Sequence, residues 1–268
     1  MWDFLAAILT IIYYGAKTVL LEAFLFGDAE VAVARGDTDA IRSIIQAASG
    51  QRERIAAQGA AARIGVVRQA ENADGKWGDF KLAIEWGYAS GDADPGAGTS
   101  RRFTFNQNHN VGLILFDHVM AWKTARAATL AADAGLVGRA AAGSQFMSSD
   151  GGVFGSTYLY PTAVIRPRSW IDLKVGAVFA QTTSDFVDPL RYGAQGNFRN
   201  YDNGDPRKHD LGVEVDAGAD VRVPLGPALR LTLGTEGGVF FPGGAFDDDT
   251  DKSLPLQYLV RGKMGLHY

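Results

Sequence analysis

Six basic side chains lie at alternate positions of otherwise apolar segments, where they could contact an anionic solute. They are Lys81, Lys174, Arg222, Arg230, Arg261 and Lys263. Lysine and arginine bind carboxylate, sulfate and phosphate groups through charge-assisted hydrogen bonds. Acidic residues share the same side of these segments, namely Glu85, Asp172, Glu214, Asp216, Asp220 and Glu236. The mixture leaves two interpretations open: contacts to a passing solute, or ion pairs between neighbouring strands.

Catalytic and metal-binding motifs are not evident. The four histidines occupy positions 109, 118, 209 and 267, and none lies in a nucleophile motif or a metal-binding pair at helical spacing. The chain has no cysteine, which excludes thiol chemistry and disulfides. The acidic run at 247–251 has oxygen ligands suited to calcium, but a solvated loop is the favoured interpretation. We therefore expect no enzymatic activity, no cofactor and no metal.

The segments that carry the basic residues alternate with period two, which is typical of strands with two different faces. At 254–268 the even positions are apolar and the odd positions are mostly polar or small. The same pattern recurs at 211–223, 170–183 and 80–91. These runs exceed the usual strand length of about 5 to 6 residues, and a strand that crosses a bilayer needs about 9 to 11. The pattern predicts a transmembrane β-barrel of antiparallel strands.

About nine long strands are predicted, with short turns and long loops in alternation, the arrangement of bacterial up-and-down barrels. The net charge of −4 and the absence of a basic patch argue against a nucleic-acid partner. We treat residues 1–268 as one all-β domain, with short helices in its long loops. The predicted strands are 3–13, 18–26, 54–69, 80–91, 154–166, 170–183, 211–223, 228–241 and 254–268.

The N-terminal apolar segment, 4–26, is interpreted as a hairpin around a turn at 14–17, with a membrane helix or a signal peptide as alternatives. Bacterial barrels generally have an even number of strands. The predicted number of strands is odd, and if the short turns are periplasmic the first strand begins on the outer side of the membrane. Both features predict that the N-terminal part of the barrel is missing. The chain would then be about the C-terminal half of a larger barrel.

Two long loops are predicted to contain helices, at 39–48 and 115–133. The second follows a loop that could narrow a lumen, although an excursion over the outer surface is an equal alternative. The candidate constriction residues in this loop are Phe103, Phe105, Asn110 and Phe116.

Three segments resemble the alginate-export porin family. They are GYASGD at 87–92, FTFN at 103–106 with NVGLILF at 110–116, and YLYP at 158–161 leading to RP at 166–167. The resemblance covers roughly residues 80–183 and implies an outer-membrane channel that exports an anionic polysaccharide. The family's lumen is strongly basic, whereas the charges on the corresponding face of this chain are mixed, so the resemblance points to transport more than to alginate as the solute.

The last strand ends with Met264, Leu266 and Tyr268, which resemble the C-terminal signal read by barrel-assembly machinery. The expected partners are outer-membrane lipid, that machinery and a polar or anionic solute, and the expected location is the bacterial outer membrane. The predicted function is a porin or export channel that acts through lumen electrostatics and a loop constriction. The alternative is a structural or adhesive barrel whose extracellular loops bind partners.

Overall fold

The computed structural model of the chain describes residues 23–39, 51–68, 79–132, 148–226 and 228–267, without the side chains of 127–132 and 193–195. These residues form one antiparallel sheet in the order β1-β2-β3-β5-β6-β7-β8-β9, and the two-residue β4 pairs parallel with β2. The strands are β1 Phe24–Thr38, β2 Glu53–Arg68, β3 Phe80–Ala89, β4 Thr99–Ser100, β5 Ser156–Arg168, β6 Ile171–Thr182, β7 Asp210–Pro224, β8 Arg230–Pro242 and β9 Gln257–His267. The described sheet is open, with β1 and β9 at its edges.

The pairing register gives the sheet one apolar face and one polar face. Val215, for example, lies opposite Ala177 on β6 and Val239 on β8, so apolar positions align across three strands. The alignment continues through every long strand because successive side chains alternate between faces. The apolar face is exposed and carries Leu25, Val31, Val33, Ile64, Leu82, Ile84, Trp86, Leu159, Ile165, Leu173, Val175, Phe179, Val215, Val223, Leu233, Phe241, Tyr258, Val260, Met264 and Leu266.

The connections differ in length between the two ends of the sheet. The connections from β5 to β6 (169–170) and from β7 to β8 (225–229) are short and lie at one end. The connections from β3 to β5 (90–155), from β6 to β7 (183–209) and from β8 to β9 (243–256) are long, and they leave and rejoin the sheet at its other end. The predicted alternation of short turns and long loops is therefore confirmed over these strands.

The predicted loop at 27–52 is wrong over nearly half of its length, because β1 continues to Thr38. It pairs with β2 over fifteen positions, from Phe24 opposite Val67 to Thr38 opposite Glu53. Alanine and glycine make up much of both strands, so the alternation of hydrophobicity is too weak to be read from the sequence. The predicted strand at 3–13, most of the predicted strand at 18–26, and all of the predicted helix at 39–48 except its first residue fall outside the described residues.

A hydrophobic core lies between the long loops and the polar face, at the long-loop end of the sheet. Its fully buried members include Val111, Leu115, Phe116, Met120, Val153, Leu211, Phe240, Ala245 and Phe246. A π-helical turn, Leu115–Met120, continues directly into helix α1, Ala121–Ala132, which confirms the helix predicted at 115–133. The second helix, α2, spans Pro189–Gln195. Among the described residues, no helix has the length and apolar character needed to cross a membrane.

Candidate functional site

Three of the six candidate basic residues belong to one ion-pair group on the polar face of β6 to β9. Asp220 on β7 pairs with Lys174 on β6 and, at 3.3 Å, with Lys263 on β9. Glu236 on β8 pairs with Arg261 at 2.7 Å and lies 3.6 Å from Lys263. Three cationic groups thus share two carboxylates, which leaves a small excess of positive charge.

A second ion-pair group lies nearer the short turns. Asp172 on β6 pairs with Arg222 on β7 and with Arg166 on β5 at 2.7 Å. Arg166 also pairs with Asp79 at 3.1 Å. Two guanidinium groups and two carboxylates balance here, so the group carries no net charge.

The remaining two basic residues lie apart from these groups. The ammonium group of Lys81 lies 5.1 Å from the centre of the Phe26 ring, in a cation–π contact. Arg230 is exposed at the end of β8 and forms no ion pair within the described part of the chain. The six residues share one face, as predicted, but their geometry favours cross-strand ion pairing for four of them.

The candidate constriction loop folds onto the polar face, where the carboxylate of Glu214 binds three of its backbone N–H groups. Glu214 on β7 is fully buried and accepts hydrogen bonds from three successive backbone N–H groups. The N–H of Leu113 and that of Ile114, at 2.8 Å, share its Oε1, and the N–H of Leu115 donates to Oε2 at 2.7 Å. These N–H groups lie at a helix start that has no local side-chain cap. A strand residue about 100 positions away therefore caps the loop helix.

A glycine allows this close approach. Gly112 adopts a φ of +71°, and a Cβ added to it would lie 2.7 Å from Oε1 of Glu214. Because side chains other than glycine are disfavoured at such φ values, both the backbone and the available space require glycine here.

The predicted constriction residues take different positions. Phe116 is fully buried in the loop core. Phe103 and Phe105 are half-buried against β2, with their rings 5.8 Å apart edge to face. Asn110 is exposed at the rim of a cleft beside them. Phe103, Phe105 and Asn110 therefore border open space, whereas Phe116 holds the loop in place.

That cleft has a volume of about 520 Å³ and lies between the polar face of β1 to β3 and loop 103–110. At its inner wall the hydroxyl of Tyr158 donates to Glu85 at 2.7 Å. His109 Nε2 lies 2.8 Å from the same hydroxyl and 3.0 Å from Glu85. These contacts join β3, β5 and the loop in one polar cluster.

Two further buried polar residues, which the sequence reasoning missed, join the long loops. The ammonium group of Lys123 on α1 donates to both carboxylate oxygens of Asp202, at 2.6 and 2.5 Å. The amide of Asn200 donates to the carbonyls of Ala245 and Asp247 and accepts from two backbone N–H groups of its own loop. The only sequence feature that points to this contact is a lysine on the helix predicted at 115–133. Its partner lies 79 residues away, so the sequence pattern could not identify the pair.

Burial in the loops also changes the pKa of two carboxyl groups. Desolvation by burial raises the pKa of Asp188 above its ordinary value, although Leu190 donates a backbone hydrogen bond to it and Arg191 lies nearby. Burial likewise raises the pKa of Asp92, which accepts backbone hydrogen bonds from Arg101 and Asp94. The fold therefore makes both carboxyl groups harder to ionise than they are in water.

The last predicted features are the acidic run at 247–251 and the C-terminal residues of the chain. Asp247 and Asp251 both pair with Lys208, at 2.6 and 2.7 Å. Met264 and Leu266 are exposed on the apolar face of β9, and Tyr268 lies outside the described residues. No group of three or more potential metal ligands occurs in the part of the chain that the structure describes.

A scan against models of known protein families and a search of curated proteins find no match to this chain.

Proposed function

We propose that the chain forms the wall of an outer-membrane channel for polar solutes. The observation that carries the proposal is the exposed apolar face, which runs without interruption over eight long strands. Soluble monomers rarely expose an apolar patch larger than a few hundred Å². Contact with lipid would remove the unfavourable exposure of this apolar face to water. The opposite face would then line an aqueous path.

The open edges of the sheet are consistent with closure into a barrel. β1 and β9 are both long, and a lipid-exposed strand edge leaves backbone groups without partners. Pairing of these two edges, with each other or with further strands, would close the barrel. The resemblance to alginate-export porins over residues 80–183 supports the same architecture.

The passage of a solute would depend on the polar face of the sheet and on the loop that folds onto it. The docked loop narrows the space over β7, and the ion-paired groups present both charges to a solute beside it. The small positive excess around Lys174, Arg261 and Lys263 supports contact with anionic groups, in line with the sequence prediction. An anionic polysaccharide remains the predicted solute for that part of the face.

Single-channel recording in planar lipid bilayers tests the proposal. We expect discrete conductance steps from the purified protein and a selectivity that shifts toward cations in Arg261→Glu. Arg230→Glu is the comparison, since Arg230 lies at the end of the neighbouring strand and forms no ion pair with the described residues. Absence of conductance, or selectivity unchanged by both reversals, would contradict the proposal.

The inward-packed loops favour one alternative, a structural barrel whose polar face is filled. Residues from all three long loops share the core on that face. A filled barrel would insert into lipid bilayers without conductance, so the same recordings, with insertion verified by protease protection, distinguish the two functions.

A further inference from the structure

We propose that the cleft between β1 to β3 and loop 103–110 binds a neutral oligosaccharide. The inference deepens the proposed function, because the cleft opens on the face that would line the solute path. Its volume of about 520 Å³ falls within the range of small-molecule sites. The ligand class follows from the charges and the groups on its walls.

The charges of the cleft disfavour an anion. Asp28 is paired with Arg63 at 3.0 Å. Glu85 is engaged by Tyr158 and His109. Glu30 is exposed and forms no ion pair or hydrogen bond with the described residues, so it adds an uncompensated negative charge to the cleft. An anionic sugar would meet three carboxylates and a single guanidinium group.

The polar lining suits hydroxyl groups better than a bare cation. Asn106, Asn108 and Asn110 are exposed at the rim, and each amide supplies donors and an acceptor. A sugar hydroxyl likewise donates and accepts, whereas a cation would leave the amide donors without partners. The half-buried rings of Phe103 and Phe105 add apolar surface for the C–H groups of a sugar ring.

The rings and amides are held by backbone contacts, so the cleft is formed before a ligand arrives. The N–H of Phe103 donates to the carbonyl of Ser90, and that of Phe105 donates to the carbonyl of Val153, both at 2.8 Å. The Phe103 ring packs directly against Gly59 of β2, where a Cβ would overlap it. Binding to such a site avoids the entropic cost of ordering a loop.

Isothermal titration of the purified protein in detergent micelles tests this assignment. The probes are maltotriose, cellotriose and N,N′,N″-triacetylchitotriose as neutral trisaccharides, trigalacturonate as an anion, and spermidine as a cation. We expect at least one neutral trisaccharide to bind at least tenfold more tightly than trigalacturonate and spermidine.

A matched pair of variants locates the binding. Asn108→Ala removes an amide from the rim and should weaken binding about fivefold, the typical effect of one lost hydrogen bond. Gln107→Ala removes an exposed amide from the same turn that does not line the cleft, and it should leave binding unchanged.

Each outcome supports or overturns the assignment. Failure of all three neutral sugars to bind, or equal binding of trigalacturonate or spermidine, overturns it, as do equal effects of the two variants. Sugar binding without bilayer conductance would keep the cleft and reject the channel, whereas conductance without sugar binding would do the reverse.

Discussion

Glu214 should control whether the constriction loop stays docked on the sheet. We consider Glu214→Ala, which removes the acceptor of three successive backbone N–H groups at residues 113–115. The helix start has no other side-chain cap, so the variant leaves these donors buried without partners. The loop must then expose them to water or bear the desolvation cost.

The magnitude follows from the number and type of bonds. A hydrogen bond to a charged group contributes about 1.5–3 kcal/mol, and bonds that share one carboxylate are not additive. We therefore expect docking of the loop to lose about 3–4 kcal/mol. At about 1.4 kcal/mol per factor of ten, this corresponds to a change of about 100- to 1000-fold in the local opening equilibrium.

Amide hydrogen exchange followed by mass spectrometry reports on this opening. Peptides that cover 111–120 should exchange faster by about the same factor, since the N–H groups of His118 and Val119 also bond within this turn, to the carbonyl of Ile114. Peptides from β7 and β8 should keep their protection, which separates undocking of the loop from unfolding of the sheet.

A neighbouring glutamate provides the control. Glu236 lies on the same face of β8 and bonds to Arg261 rather than to the loop. Glu236→Ala should leave exchange at 111–120 unchanged. If Glu214→Ala also leaves it unchanged, or if both variants accelerate it equally, the carboxylate does not hold the loop and the reasoning is refuted.

Three further predictions concern the loops and the ion pairs. Gly112→Ala should destabilise the protein in thermal unfolding by at least about 1 kcal/mol more than Gly196→Ala, because both have a positive φ but only Gly112 abuts Glu214. Burial raises the pKa of Asp188, so the folded chain binds its proton more tightly, and this carboxyl reduces stability as pH rises above about 4. Asp188→Asn, which keeps an acceptor for the helix cap, should therefore lose less stability than the native chain as the pH rises above about 4, and an unchanged pH profile would contradict this. Asp220→Asn leaves two ammonium groups without their shared carboxylate and should shift selectivity in bilayers toward anions, with no shift counting against a conducting role for this face.

The strand pattern was predictable because alternation is a local property. Each residue's face depends only on its parity within a strand, so the apolar face of β6 to β9 could be assigned before any strand was paired. The same reasoning failed at 27–38, where the alternating run is short. Only Val31 and Val33 stand against Asp28 and Glu30, and alanine and glycine take most of the other positions. The register with β2, not local pattern, makes this segment a strand.

The sequence by itself determined the strand class, the loop asymmetry and the face that carries the basic residues, since these follow from period and spacing. Only the tertiary structure decided which carboxylate each base pairs with, because a partner on a neighbouring strand depends on register. It alone decided that the loop folds onto the polar face, where Glu214 caps a helix 99 residues away in sequence. Such contacts depend on how the whole chain is arranged in space, which no local pattern encodes.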